Sequence, residues 1–318
     1  MRRIWDKYEK MELIIYKEKN KIRIDKFLTK EFFSYTRGEI IRNIKNGNIL
    51  VNSKKIKPNY ALKENDEIKI NILPKISGIR PDPKVKFKVI YEDKNIIAIN
   101  KPAGLQIHPS HTEKNHTLVN GLIAKFPEIK NVSDGSAGSE LRPGIIHRLD
   151  KDTSGVMVVA RNQKTFDELK KLFQNREIRK EYLAIVFGKL KSKQGVIEKP
   201  IARAQSYKKQ TIVSLKTKTK IRPAATEYEV LKEYDNYSLV KVMPLTGRMH
   251  QIRVHLAHLG HPIIGDEKYA HKNYKYPEGV RRQLLHAQRI EFDLFGKKYF
   301  FDVPFPDDFS GFLQELTP

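Results

Sequence analysis

Three ionisable side chains stand close together near the middle of the chain: His147, Arg148 and Asp150. Apolar runs flank them at 144–146 and 156–160, and their composition predicts two buried strands. A polar turn between buried strands is rigid, and a rigid turn can hold a reactive side chain in one geometry. The alternative is structural, because aspartate readily closes a turn by hydrogen-bonding its own backbone.

Asp150 has the properties of a nucleophile that needs no activating base. A free aspartate has a pKa near 3.9, so it is already ionised at neutral pH. Burial would raise that pKa, and a neighbouring arginine would lower it again by roughly 1–3 pH units. The chemistry therefore predicts an arginine beside Asp150 and an aromatic cover, for which Arg253 and Tyr182 are the candidates. Asp152 leaves open a second chemistry, hydrolysis of a glycosidic bond by two carboxylates.

Other chemistries lack their residues. His250, His255, His258 and His261 do not follow the His-Glu-x-x-His pattern of a zinc site, and the cysteines of zinc deaminases are missing. No glycine-rich phosphate loop of either common type occurs. Ser154 has no evident base partner. The sequence thus predicts neither a metal nor a cofactor.

The charge of the chain indicates its partner. There are 61 Lys and Arg against 37 Asp and Glu, a net charge of +24. Residues 1–80 hold 20 basic and 10 acidic side chains, and residues 81–318 hold 41 and 27. The first section is thus about twice as basic per residue, which a uniform compositional bias would not produce. Since such a surface attracts polyanions, we expect a nucleic acid as partner.

The compartment follows from composition. The chain has no cysteine, which excludes disulfides and fits a reducing compartment. Its charged N-terminus contains one short apolar run, 13–15, far shorter than a signal peptide or a membrane span. We expect a soluble cytoplasmic protein without a membrane partner.

Strand patterns outnumber helical patterns over most of the chain. Residues 182–187 are apolar on both faces, which is typical of a central strand, and 226–233 and 238–243 predict two further strands. Little regular alternation of strands and helices occurs. We therefore predict an α+β fold with a mostly antiparallel mixed sheet, flanked by helices and loops.

One predicted helix carries the candidate arginine. It is expected to open at Thr246 and to turn Ile252, Leu256 and Leu259 towards the core. Arg253 stands one position from that apolar face. It is therefore either a solvated side chain or a buried partner for a carboxylate.

The N-terminal region predicts a small basic module. Asp25 and Thr36 are candidate N-caps of two short helices, which short strands follow. The second helix carries Arg37, Arg42 and Lys45 away from its apolar stripe. A basic helix of this kind suits phosphate groups better than base edges, although a merely solvated helix face is the alternative.

This region resembles the S4 RNA-binding domain over roughly residues 21–73. The resemblance rests on Ile22-Arg23-Ile24-Asp25, Thr36-Arg37, Gly47-Asn48-Ile49-Leu50-Val51-Asn52 and Glu64-Asn65-Asp66-Glu67-Ile68. It implies binding to structured RNA. Residues 1–20 are predicted to be an extension, 74–86, with several prolines, a linker, and 87–318 the second domain.

The second domain resembles the RluA family of pseudouridine synthases across about residues 87–308. Its motifs stand at the spacing of that family: Asn100-Lys101-Pro102-Ala103-Gly104, His108-Pro109, His147-Arg148-Leu149-Asp150-Lys151-Asp152-Thr153-Ser154-Gly155, Lys180-Glu181-Tyr182, Thr246-Gly247-Arg248-Met249-His250-Gln251-Ile252-Arg253 and Leu285-His286-Ala287. The resemblance implies an isomerase that converts uridine in RNA to pseudouridine without a cofactor.

The resemblance also implies roles for single residues. Asp150 would be the nucleophile and Arg253 its partner, Tyr182 would stack on or deprotonate the detached nucleoside, and Leu285 would line the base pocket. Arg148 would fill the gap that the flipped uridine leaves. The remaining motif residues expected to bind substrate are His147, Arg248 and His250.

The resemblance favours ribosomal RNA as the substrate, because an S4 domain in front is typical of the ribosomal-RNA-modifying branch of the family. The expectation is 23S ribosomal RNA, free or in pre-ribosomal particles, acted on by a monomer; transfer RNA is the alternative. A non-enzymatic RNA-binding or ribosome-assembly protein remains a rival, although it leaves the larger domain without chemistry. A hydrolase that releases uracil is the other rival.

Overall fold

The computed structural model describes residues 3–5, 12–18, 20–32, 35, 37–71, 79–110, 113, 115–136, 138–204, 209–214, 217, 219–270, 274 and 276–316. It divides into two compact units, Met1–Gly78 with Gly135–Glu140 and Ile79–Asp134 with Leu141–Pro318. The candidate cap Thr36, the last two residues of the predicted S4 region, 72 and 73, and residues 74–78 of the predicted linker lie outside the described residues. The predicted domain limits therefore stay predictions.

The first unit is a small antiparallel sheet with two helices. The strands follow the order β1-β2-β5-β3-β4. Its elements are β1 (Arg3–Trp5), β2 (Glu12–Ile15), α1 (Ile24–Glu31), α2 (Arg37–Asn46), β3 (Ile49–Val51), β4 (Lys54–Lys55) and β5 (Glu67–Ile70). Residues 1–20, expected to be an extension, contribute β1 and β2, because β2 pairs with β5 and buries Ile14 completely.

The first helix differs from its prediction at the start. It begins at Ile24, so Asp25 lies inside the first turn and does not cap it. The Asp25 carboxylate is fully buried and accepts hydrogen bonds from Arg23 and Arg37. The cap prediction is wrong because these two guanidinium groups, and not the helix N–H groups, occupy the carboxylate.

The second unit is built on a sheet of nine strands. Its elements are β6 (Lys88–Glu92), β7 (Ile96–Lys101), α3 (Leu118–Lys125), a 3-10 helix at Pro127–Asn131, β8 (Ser154–Ala160), α4 (Gln163–Asn175), β9 (Arg179–Phe187), β10 (Gln194–Glu198), β11 (Ile201–Arg203), β12 (Gln210–Ile212), β13 (Ala225–Glu233), β14 (Tyr237–Pro244), α5 (Gln251–His258), β15 (Leu285–Leu294), β16 (Lys297–Asp302) and α6 (Asp307–Glu315). A short 3-10 helix at Ser139–Leu141 begins in the Gly135–Glu140 segment of the first unit.

The large sheet has the order β10-β13-β14-β9-β15-β8-β7-β6, with β16 added to β15 and β11-β12 forming a separate pair. Among the described strands, β8 and β15 run parallel and their neighbours pair antiparallel. The predicted mostly antiparallel α+β sheet is confirmed. Gly155 permits the close approach of β8 to β15, because a Cβ there would lie 2.2 Å from the Ala287 oxygen.

Two local predictions fail next to the site. Residues 144–146 do not form a strand: Gly144 has φ +68° and only Ile145 bridges to Val159. The helix α5 begins at Gln251, not at Thr246, because the Gln251 side chain accepts hydrogen bonds from the Thr246 hydroxyl and Arg248 N–H and closes a turn before it. Leu259 lies past the helix end and is 37 % exposed, so it does not belong to the core.

Candidate active site

A cleft of about 1060 Å³ in the second unit collects the predicted site residues. Asp150 lies in the turn before β8, Tyr182 on β9, Arg253 on α5 and Leu285 at the start of β15. The cleft is also lined by the other predicted substrate-binding residues of this unit: His147, Arg148, Arg248 and His250. Arg37, Arg42 and Lys45 lie elsewhere, on α2 of the first unit.

The centre of the cleft is a chain of two carboxylates and one guanidinium. Arg253 Nη1 donates to Asp150 Oδ2 at 2.8 Å. The Nε and Nη2 groups of Arg253 donate to the two oxygens of Asp266, at 2.7 and 2.8 Å. The Arg253 side chain is 5 % exposed and Asp266 is fully buried, whereas 18 % of the Asp150 side chain stays exposed. Asp266 therefore fixes the guanidinium, and Arg253 presents one remaining N–H edge to Asp150.

The electrostatics keep this arginine charged. Burial by itself would lower the pKa of Arg253, but the hydrogen bonds and charges of Asp266 and Asp150 raise it above its usual value. For Tyr182 the two effects act in the same direction, because burial and then the charge of Asp150 both raise the pKa of its hydroxyl. At neutral pH the site thus holds a cationic Arg253 and a protonated phenol.

Tyr269 contacts both Arg253 and His250. The Arg253 guanidinium carbon lies 5.2 Å from the centre of the Tyr269 ring. The Tyr269 hydroxyl lies 2.7 Å from His250 Nδ1 and accepts a hydrogen bond from the Gln210 N–H. Burial raises the pKa of Tyr269 to about 12, so the phenol stays protonated and can donate to His250. His250 Nε2 is 3.8 Å from Asp150 Oδ2.

Two side chains, Lys101 and Arg282, donate hydrogen bonds to the backbone of the turn that carries Asp150. The fully buried Lys101 donates from Nζ to the carbonyl oxygens of Pro102, Leu105 and Lys151, at 2.7, 3.0 and 2.9 Å. Burial lowers the pKa of Lys101 to about 7, whereas three carbonyl acceptors favour the ammonium form. Arg282 donates to the Asp152 carbonyl at 3.1 Å. Two cations therefore hold the backbone immediately after Asp150.

His147 is part of the wall of the cleft. Its Nε2 accepts a hydrogen bond from the Val158 N–H at 3.0 Å, and its ring stacks on Phe173 at 4.9 Å between centroids. Burial, and then the charge of Lys180, lowers the pKa of His147 to about 3. The neutral ring therefore joins β8 to α4, and its predicted part in substrate binding stays a prediction.

The neighbouring Arg148 is exposed at the mouth of the cleft, with Nη1 3.5 Å from His108 Nε2. The His108 Nδ1 atom is buried and has no hydrogen-bond partner among the residues that the structure describes. Burial, and then the charges of Arg148 and Arg142, lowers the pKa of His108 to about 4. Arg148 thus rests against a neutral ring, and no carboxylate in the described part of the chain forms an ion pair with it.

A family model described as RNA pseudouridylate synthase matches residues 95–258, which contain Asp150, Tyr182 and Arg253. The chain belongs to the RNA pseudouridine synthase family. It is therefore an isomerase, and an S4 domain model also matches residues 22–68.

Relatives match this pseudouridine synthase over nearly its whole length. An uncharacterized RNA pseudouridine synthase of Aquifex aeolicus is 39 % identical, over 93 % of this chain and 95 % of that one. The ribosomal large subunit pseudouridine synthase D of Borreliella burgdorferi is 37 % identical, over 94 % and 91 %. Among solved structures, human RNA pseudouridylate synthase domain containing 4 has a TM-score of 0.57 at 28 % identity, over 73 % of this chain and 94 % of that chain.

Three residues of the pseudouridine synthase site were missed from the sequence: Asp266, Tyr269 and Lys101. A signal for Asp266 existed, because an arginine beside a buried helix face has five N–H donors and one carboxylate cannot satisfy them. Lys101 stands at the end of a buried strand, where a lysine needs several acceptors. No comparable signal marked Tyr269.

None of the residues that the structure describes form a group of three metal-ligating side chains, and none of the described helices is long and apolar enough to cross a membrane. The histidines at the predicted helix have separate partners: His250 contacts Tyr269, His255 lies between Thr226 and the Lys199 carbonyl, and His261 Nδ1 donates to the Phe187 carbonyl.

The stability of the pseudouridine synthase should depend on pH through its buried histidines. Burial lowers the pKa of His147 to about 3 and the pKa of both His108 and His286 to about 4. A free histidine has a pKa near 6.5. Between these values the unfolded chain binds more protons, so the free energy of unfolding falls as the pH falls from about 6.5 towards 4.

Urea unfolding at stepped pH, followed by circular dichroism, measures this decline. His147→Gln should make it shallower, by about one proton at most. His258→Gln, at an exposed histidine, is the matched control for the substitution itself. An unfolding midpoint that does not vary between pH 7 and 5 would contradict the assignment of neutral buried rings.

Proposed function

We propose that this enzyme isomerises specific uridines of large-subunit ribosomal RNA, with Asp150 as the nucleophile. The observation that carries the proposal is the 2.8 Å bond from the buried Arg253 to one oxygen of the partly exposed Asp150. A carboxylate held in this way is fixed in direction, with its second oxygen left for the substrate. The cleft leaves room on its open side for a nucleoside.

The reaction exchanges the N1–C1′ bond of uridine for a C5–C1′ bond, so the mass of the RNA does not change. Asp150 would attack C1′ of the ribose or C6 of the base, or assist a glycal route. Each route needs an ionised carboxylate beside the glycosidic bond. Arg253 would hold the Asp150 carboxylate in place inside the cleft after water has been displaced.

Tyr182 and Leu285 would contact the base. Tyr182 is 9 % exposed and Leu285 is 3 % exposed, and both line the cleft. The raised pKa of Tyr182 leaves little phenolate at neutral pH, which favours stacking on the detached uracil over removal of its proton.

The uridine must leave its stack to reach Asp150, at a cost of a few kcal/mol. Arg148 is suited to fill the gap, because it is exposed where it lines the cleft and forms no ion pair with a carboxylate of the described residues. Arg248 donates from Nε to the Pro223 carbonyl, and the rest of its guanidinium is available to RNA. His250 would stand beside the reacting sugar, since it lies 3.8 Å from Asp150.

The first unit, which contains the residues that match the S4 domain model, supports the choice of a structured RNA. Arg42 and Lys45 are exposed on α2, while Arg37 is held by Asp25 and remains about half exposed. Relatives named for the ribosomal large subunit support ribosomal RNA, and transfer RNA is the second candidate. We place the reaction in the cytoplasm, where both RNAs are found.

Mapping of pseudouridines tests the proposal. RNA from cells without the gene should lack pseudouridine at one or more large-subunit positions, and the wild-type gene should restore it. Purified enzyme should modify transcribed 23S ribosomal RNA at the same positions without any change of mass. Modification confined to transfer RNA would show that transfer RNA, and not ribosomal RNA, is the substrate. Release of free uracil would identify a hydrolase. Identical pseudouridine maps with and without the gene would reject the activity.

A further inference from the structure

The chain passes from α4 into β9 through a residue with an unfavourable backbone. Arg176 has φ 63° and ψ 31°, in the left-handed region that glycine adopts freely and other residues rarely adopt. Helices that end in this conformation usually have glycine at that position. The backbone therefore gives no reason for an arginine here.

Contacts within the fold do not explain the side chain either. The Arg176 N–H bonds to the carbonyl oxygens of Leu172 and Phe173, which any residue except proline would do. Its guanidinium is exposed and makes no hydrogen bond or ion pair with the part of the chain that the structure describes, and the same holds for Arg179. A small gain from the helix dipole is the structural alternative for Arg176, but it does not apply to Arg179.

Both arginines line the cleft that contains Asp150. Seven Lys or Arg side chains line this cleft against three Asp or Glu. Arg253 is neutralised by Asp150 and Asp266, and Lys170 is paired with Asp134, so the positive excess belongs to the remaining five cations. An enzyme that takes a uridine out of an RNA stack must hold the strand beside it, and the strand carries one phosphate per nucleotide.

We infer that Arg176 and Arg179 form a phosphate-binding lip, which holds the backbone of the RNA strand beside the flipped uridine. The inference rests on the proposed function. The lip accounts for the arginine at position 176, because binding of the strand outweighs a strain that glycine would remove. Its occupant is a phosphodiester group of a single RNA strand.

Arg176→Gly separates the two explanations of this residue. The variant removes the strain and should therefore melt at the same temperature as the wild type or higher. It should nevertheless bind transcribed 23S ribosomal RNA about three- to tenfold more weakly. The slope of log affinity against log salt should become smaller by about 0.7, the value for one single-strand phosphate contact. Arg179→Ala should reproduce the loss of affinity and slope without touching the left-handed position.

Lys298→Ala is the control, because Lys298 is an exposed cation that does not line the cleft, and its RNA affinity should equal that of the wild type. If the wild type modifies RNA and both lip variants keep its RNA affinity and its salt slope, the inference is overturned. A fall in melting temperature for Arg176→Gly without loss of affinity would assign Arg176 to the helix dipole instead. A wild type that modifies no RNA would reject the proposed function itself.

Discussion

Asp150→Asn is expected to reduce pseudouridine formation by more than about 10⁴-fold, as loss of a nucleophile does in other enzymes. The amide keeps the shape of the carboxylate but cannot act as an anionic nucleophile. The fold should persist, because Arg253 retains both of its bonds to Asp266. RNA affinity should stay the same or rise slightly, since one negative charge leaves a cleft that binds a polyanion.

The measurement is single-turnover formation of pseudouridine on a ribosomal RNA transcript, together with the dissociation constant. Asp152→Asn is the matched control from the same turn. The backbone carbonyl of Asp152 accepts a hydrogen bond from Arg282. This contact does not depend on the Asp152 side chain, so the variant should keep most of the activity. Substantial activity in Asp150→Asn would refute the nucleophile, and equal losses in both variants would indicate a role for the turn and not for one carboxylate.

Arg253→Ala is expected to damage both stability and activity. It leaves the buried Asp266 without a cation, and breaking a buried ion pair in this way costs about 3–5 kcal/mol of unfolding free energy. It also removes the donor to Asp150, for which we expect a loss of more than about 100-fold in turnover. Urea unfolding and single-turnover kinetics measure the two effects separately.

A double variant distinguishes these effects. Arg253→Met with Asp266→Leu replaces the buried pair by apolar side chains of similar volume, which is often neutral for stability. The double variant should recover most of the unfolding free energy but not the activity, because Asp150 still lacks its cation. Recovery of activity together with stability would mean that Arg253 serves the fold alone.

The sequence was most informative where chemistry restricts the residue type. An ionised nucleophile in a cleft needs a cation, and Arg253 does lie beside Asp150, although the roles of both stay predictions. The central strand at 182–187 was also predictable, because a continuous apolar run is a local signal.

The elements and contacts that were not predicted from the sequence have a common physical cause. The strands β1 and β2 are short and depend on pairing with β5, which is far away in sequence. Asp25 looked like a helix cap because the distant Arg37 could not be placed beside it. Asp266 and Tyr269 were missed for the same reason, since the layers behind a reactive group are set by tertiary packing and not by local periodicity.

The position of β15 determines when the sheet can form. This strand lies between β9 and β8, although it follows β9 by about 100 residues in the chain. Synthesis proceeds at roughly 5–20 residues per second. Until β15 has been made, the edges of β8 and β9 that pair with it are therefore unpaired, and unpaired strand edges can cause aggregation. The turn with Asp150 and the strand with Tyr182 are joined only when Leu285–Leu294 has left the ribosome. Assembly of the active site thus requires that β15 has been synthesised.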